Sequence, residues 1–232
     1  MARSKNAKAT NKVASSRRKA PAAPSERRRP TQARSQRRFE SIVQAAAESF
    51  AQFGFGDTTM EGIAARAGTS IGSVYQFFPN KRALFVEVAD RCLKLTRQSY
   101  VEMLGTDPLS QPWAALLDRF IDGFVRINHE VVEMQAIWRN LDLYGEFAEA
   151  DQAMTQELIE ATAGLFAGWV PTLEAAKRRI VATTLVNAVV TLMLAVVRAE
   201  DSGEGEALVA ETKLMLRRYL SVYLGDPPDT TA

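Results

Sequence analysis

The chain has 232 residues, enough for one large domain or two small ones, and its 47% hydrophobic content can build a core. One cysteine, Cys92, excludes an intramolecular disulfide. The formal net charge of +2 conceals an asymmetry: residues 1–38 carry 13 Lys and Arg against one acid, Glu26, while residues 39–232 carry 16 against 26. A basic arm on an acidic body points to a polyanion at the N-terminal end, whether DNA, RNA or an anionic membrane.

Residues 1–32 are rich in Ala, Ser, Pro, Lys and Arg, and a segment so poor in large apolar side chains reads as a disordered basic arm. A transit peptide is a competing reading, which Pro21, Pro24 and Pro30 oppose because they break an amphipathic helix. No apolar run of the secretory kind opens the chain, so the expected location is cytoplasmic and nucleoid-associated. From Ala33 the pattern turns helical: Phe39, Ile42, Val43, Ala46, Ala47 and Phe50 share one face, and Gly54 is expected to cap that helix in a left-handed conformation. Thr58 with Glu61 forms a predicted capping box for a second helix carrying Met60, Ile63, Ala64 and Ala67, which Gly68 breaks. Ser70 caps a short third helix with Val74, Tyr75 and Phe78, stopped by Pro79. Asn80 caps a fourth, running through Leu84, Phe85, Val88, Cys92 and Leu95 to about Leu104.

Pro108 and Pro112 mark a linker, after which helical segments are expected at 112–139, 144–169, 172–199 and 204–223, with a disordered tail at 226–232. No stretch alternates with a period of two, so no sheet is expected. The predicted fold class is all-α: an N-terminal three-helix helix-turn-helix domain at 33–80, followed by a larger helical bundle at 81–225 for ligand binding and dimerisation.

Ala64, Gly68 and Val74 have the spacing of two helices joined by a tight turn, a pattern shared with ordinary helical hairpins. The face of the third helix distinguishes them. Thr69, Ser70, Gly72, Ser73 and Gln76 are small or polar, so the helix can enter a major groove where such side chains bond base edges. Tyr75 and Lys81 are expected on phosphates, as are Arg34, Arg37 and Arg38 at the start of the first helix.

Residues 37–85 closely resemble the DNA-binding domain of the TetR family of bacterial repressors. The resemblance is carried by Ala45, Ala46 and Phe50, Gly54–Phe55, Thr58–Thr59, Ile63–Ala64, Ala67–Gly68, Gly72, Tyr75, Phe78 and Lys81. It implies a recognition helix at 70–77 and DNA contacts from Thr59, Ser70, Gly72, Ser73, Tyr75, Gln76 and Lys81, beside Arg37. Phe77 and Arg82 depart from the family pattern. The resemblance further implies a dimerisation and ligand-binding bundle beyond about residue 105.

In that bundle, Ile180 to Val197 is an uncharged run of marginal transmembrane length, interrupted by Thr183, Thr184, Asn187 and Thr191. A dimer helix buried on both sides explains it better, with Val181, Leu185, Val189, Leu192, Val196, Leu216 and Leu220 as the expected interface and no membrane partner. Phe120, Phe124, Trp138, Phe147 and Phe166, with His129, Asn128 or Gln135 as polar anchors, are the candidate ligand pocket, and Ala136 is expected to face it. Core packing is the competing reading for each aromatic. Glu146, Glu149, Asp151 and Glu157 read as a solvated acidic face. No phosphate loop, nucleophile elbow or metal-ligand spacing is present, so no enzyme activity, metal or cofactor is expected. The expected function is a sequence-specific homodimeric repressor, released from an inverted-repeat operator in double-stranded DNA by a small apolar or amphipathic effector. The alternatives are an architectural DNA-coating protein using the basic arm, a constitutive regulator, and an enzyme or carrier built on the bundle.

Overall fold

Residues 28–199 and 203–226 are described in a computed structural model of the chain, with side chains from residue 33 onward. Most of the basic arm and nearly all of the C-terminal tail lie outside these residues. The chain divides into two compact units, Met1–Arg37 and Arg38–Ala232. Helix α1 spans Arg28–Asp57, so residues 28–32, expected to be unstructured, are helical. Pro30 is compatible with that position, because the first helical turn has no intrahelical partner for the missing N–H.

The remaining helices are α2 (Met60–Arg66), α3 (Ile71–Tyr75), α4 (Lys81–Leu104), α5 (Trp113–Glu130), α6 (Val132–Arg139), α7 (Ala148–Trp169), α8 (Ala175–Ala199) and α9 (Gly205–Leu224). Short 3-10 turns occupy Pro108–Ser110 and Leu141–Glu146, and the described residues contain no strand. The fold class read from the sequence is therefore the observed one.

Local chemistry sets the helix-turn-helix. Gly54 (φ 77°) and Gly68 (φ 63°) take backbone conformations that residues with a Cβ disfavour; Gly54, expected to end the first helix, instead kinks α1 three residues before its end, and Gly68 turns the chain after α2. The cap of α2 lies one residue later than its sequence suggested. Thr59, extended at φ −116° and ψ 153°, accepts the Gly62 N–H at 3.0 Å through its hydroxyl. Thr58 is buried, and its hydroxyl donates to the Gly54 carbonyl at 2.6 Å. Ser70 and Asn80 cap α3 and α4 as expected, accepting from Ser73 and Ala83 respectively.

Lys81 completes this device. Its ammonium donates to the carbonyls of Phe55, Gly56 and Thr58, and it lies 4.4 Å from the centre of the Phe55 ring. All three N–H donors therefore hold the 55–58 link, which neutralises carbonyls left open at the end of α1.

Two apolar cores follow. The first joins α1, α2, α3 and α4 with α6: Ile42, Phe50, Ile63, Val74, Leu84, Phe85 and Val88 meet Met134, Ala136 and Ile137. Phe50 lies 5.4 Å from Phe85 between ring centres, and Phe85 lies 6.4 Å from Phe147. The second core collects Trp113, Ile121, Phe166, Val181, Met193, Val196, Leu216 and Leu220 from α5, α7, α8 and α9.

The single helix expected over 112–139 is broken at Val131, which takes an extended conformation (φ −101°, ψ 109°). Its N–H closes α5 on Ile127, and its carbonyl opens α6 by accepting from Met134 and Gln135. The break frees α6 to enter the first core. There Arg91 of α4 pairs with Glu40 of α1 at 2.8 Å and with buried Glu133 of α6 at 3.4 Å. Among the described residues, α8 alone is long and apolar enough to cross a membrane by length and composition, and it packs along α7 and α9.

Lys81→Met keeps an apolar stem on Phe55 and strands three carbonyls. The expected cost is about 1 kcal/mol, since the link is partly hydrated, which lowers Tm by roughly 2–4 °C for a chain of this size. Thermal unfolding followed by circular dichroism at 222 nm checks this; an unchanged Tm would show that water replaces the ammonium at no cost.

Candidate nucleic-acid interface and buried cavity

Helix α3 is five residues long, and its two sides differ sharply. Val74 and Phe78 are buried in the first core, while Gly72, Tyr75 and Gln76 are exposed and Ser73 is half-buried. Position 72 lies three and four residues before 75 and 76, and 73 lies three before 76, so these positions share the outward side. A Cβ at Gly72 would meet nothing within 4 Å, so internal packing does not demand glycine there. The Ser73 hydroxyl lies 2.9 Å from that of Ser70, which ties it to the cap. Tyr75 is 50% exposed. Thr59 is also exposed at the start of α2.

The structure thus brings Thr59, Ser70, Gly72, Ser73, Tyr75 and Gln76 to the accessible surface of the α2–α3 pair. Arg37 is exposed but belongs to the other unit. Lys81 departs from the phosphate role expected of it, because its donors are occupied by the 55–58 carbonyls. Phe77 packs edge-on against Phe39 at 5.7 Å, a structural role, and Arg82 pairs with Glu146 at 3.3 Å.

A cavity of about 600 Å³ lies among α4, α5, α6, α7, α8 and α9. Five of the six residues expected to form a pocket line it: Phe120, Phe124, Trp138, Phe147 and Phe166. His129 does not; it is exposed at the end of α5, where its carbonyl accepts from Gln135. Asn128 is buried behind the wall, accepting from the Trp138 indole and donating to the Phe124 carbonyl at 2.8 Å. Ala136 is fully buried in the first core, so it faces away from the cavity.

Sequence reasoning found Phe166 on α7 but missed the rest of that helix's contribution. Asp151, Thr155, Leu158, Thr162, Phe166 and Trp169 recur at helical spacing and all line the cavity, a stripe masked by its mixed polarity. Tyr100 and Tyr144 join them. The Tyr100 hydroxyl lies 3.5 Å from that of Thr162, and burial pushes its pKa up. Cys92 also lines the wall, with its sulfur 3.2 Å from that of Met134. Burial first, then the negative charge of Glu133, pushes its thiol up to about 12, so it remains a neutral apolar surface.

The interface residues expected on α8 and α9 turn inward. Val181, Val196, Leu216 and Leu220 are buried in the second core, Leu185 and Val189 line the cavity, and Leu192 is half-buried against the second core. What the two helices present outward is Ile180, Thr184, Asn187, Thr191 and Ala195 on α8, with Leu214, Met215 and Val222 on α9. Because α8 is apolar on almost every side, periodicity alone does not choose a face.

Residues 42–88 match the family described as bacterial regulatory proteins of the tetR family, and residues 112–220 match the tetracyclin repressor-like C-terminal domain. The chain is similar to the HTH-type transcriptional regulator YhgD of Bacillus subtilis, with 40% identity over 67 residues; these are 29% of this chain and 35% of that protein. Among solved structures, it is similar to a TetR-family transcriptional regulator from Streptomyces coelicolor (24% identity, TM-score 0.57, covering 81% of this chain and 99% of the other). The SmeT–triclosan complex is a further match (23% identity, TM-score 0.63, covering 85% and 98%).

Proposed function

The chain belongs to the TetR family of bacterial DNA-binding transcriptional regulators, and on that premise we propose that it is a cytoplasmic, sequence-specific homodimeric repressor, released from an inverted-repeat operator by a small apolar or amphipathic effector. One observation carries the ligand-responsive part. Helix α6 is common to both sites, since Met134, Ile137 and Trp138 line the cavity while Ala136 and Ile137 sit in the core of the helix-turn-helix. An effector that favours a different α6 position therefore acts on the unit that carries α3, and one that binds both positions equally does nothing.

Base reading falls to Gln76 and Ser73, with Tyr75 and Thr59 on the backbone and Gly72 allowing close approach. Residues 38–82 hold Arg38, Arg66, Lys81 and Arg82 against Glu40, Glu48, Asp57 and Glu61, so this region is formally neutral. Non-specific attraction to phosphates must then come from the basic residues before it, Arg37 included. Gln76→Ala should relax discrimination at one position of each half-site by about 1–3 kcal/mol, measured by anisotropy on a scanned operator. Full discrimination in that variant would place the reading helix elsewhere.

Dimerisation is the reading that covers the outward face of α8 and α9. Ile180, Leu214, Met215 and Val222 are each between 47% and 76% exposed in the single chain, and a two-fold partner offers the same apolar face in return. Thr191→Arg or Met215→Arg, both at exposed positions, should leave the helical content intact, halve the sedimenting mass and abolish tight operator binding. A variant that still sediments as a dimer would move the interface to another face.

The effector reading is tested by filling the space. Leu158→Trp, in the middle of the α7 stripe, should block effector release of the operator while leaving DNA affinity within about twofold. Normal release in that variant would separate the effector from this cavity.

A further inference from the structure

The shape and polarity of the cavity narrow the chemistry of its ligand. The lining residues of α7 run from Asp151 in its first turn to Trp169 in its last. Eighteen residues at about 1.5 Å each span roughly 27 Å. A cavity of about 600 Å³ lined along that length favours an elongated ligand.

The two ends differ. At the Trp169 end, the 3-10 turn Pro108–Ser110 packs on α7, and Leu109 occupies the space that a Cβ on Gly168 would need. The Trp169 indole N–H is buried there without an acceptor. At the other end, Asp151 and Tyr144 are only partly covered, and the Tyr144 hydroxyl donates to the Asp151 carboxylate at 3.0 Å. The Tyr144 and Phe147 rings stand edge to face at 5.3 Å beside it. Among the described residues no Lys, Arg or His lines the cavity, and Asp151 is the one acidic side chain on its wall. Asp142, Glu146 and Glu149 flank the same end in sequence; Glu146 is paired with Arg82.

We propose that the ligand is an elongated amphipathic cation, whose ammonium rests at Asp151 between Tyr144 and Phe147 and whose apolar body runs along α7 toward Trp169. The proposal rests on the reading of the cavity as the effector site. A carboxylate beside aromatic faces suits an organic cation, and a carboxylic acid of the same length would bring a second negative charge to Asp151 with no cation in the wall to meet it. A hydrogen-bond acceptor at the far end of the ligand would satisfy the Trp169 N–H.

The chain provides its own probe. All three of its tryptophans, Trp113, Trp138 and Trp169, line the cavity, so intrinsic fluorescence reports its filling. The full chain should be titrated with decyltrimethylammonium, decanoate and decanol below their micellar concentrations, with thermal shift as a second readout. The expected result is binding of the cation at least about tenfold tighter than the anion. Asp151→Asn should weaken the cation by about fivefold and leave decanol within about twofold, and Tyr144→Phe, which keeps the ring and the acid, should retain the preference. Equal or tighter binding of decanoate, or an Asp151→Asn variant with unchanged cation affinity, overturns the charge assignment while the cavity keeps its place as the effector site. If none of the three probes alters fluorescence or Tm, the effector reading itself is overturned.

Discussion

The structure depends on how Asn140 is held. This side chain closes the end of α6, is almost fully buried, and uses both of its polar atoms. Its oxygen accepts the Phe55 N–H at 2.5 Å, and its nitrogen donates to the carbonyls of Ala136 at 2.7 Å and Phe50 at 3.3 Å. Phe50 and Phe55 lie on either side of the Gly54 bend in α1, so one amide fixes both the bend and the helix that abuts it. Leaving such groups unpaired in a buried site costs about 1–3 kcal/mol each, so α6 and the end of α1 move together or not at all. The ion pairs of Arg91 with Glu40 and Glu133 repeat the linkage of α1 to α6 by way of α4.

From that joint the constraint passes to the reading helix through short, polar connections. The 55–58 link is held by Thr58 from within and by Lys81 from the start of α4. Arg66 at the end of α2 bonds Gln52 at 2.6 Å and pairs with Glu48 at 3.4 Å, tying α2 back to α1. Helix α3 then hangs from its Ser70 cap and from Val74 and Phe78, and it has too few residues to be stable alone. Its orientation is inherited from the core beneath it, and that core contains α6.

Features set by a few neighbouring residues were legible in the sequence. The glycine bends at 54 and 68, the Ser70 and Asn80 caps and the buried faces of α1 to α4 all follow from local rules. The α2 cap missed by one residue because Thr58 and Thr59 are chemically alike, and only burial of the first decides which hydroxyl is free to cap. Features set by distant packing were not legible. Val131 breaks a helix without glycine or proline to announce it. The inward face of α8 could not be told from its outward one, because both carry apolar residues at helical spacing. The pocket was read through its aromatics, and all five line the cavity; the polar anchor chosen, His129, does not. His129 attracted attention as the only histidine, whereas Asp151 looked like one more acid on a solvated face, and only the third dimension sets it at the mouth of a cavity.

On the proposed effector mechanism, the signal that α6 would transmit is modest. Weakening DNA binding a hundredfold takes about 2.7 kcal/mol of differential effector affinity between the two conformations. At roughly 0.8 kcal/mol per buried methylene, a difference of three to four methylene contacts is enough. A cavity lined along roughly 27 Å of α7 can hold a ligand with many times that contact area, so most of its binding energy would be available for affinity and only a fraction would need to depend on where α6 lies. The three α6 side chains on the wall, Met134, Ile137 and Trp138, are the ones whose contacts change when the helix shifts. Trp138 is braced from behind by Asn128 and Met134 touches the sulfur of Cys92, so on the proposed mechanism these are the wall contacts through which a ligand would push on α6.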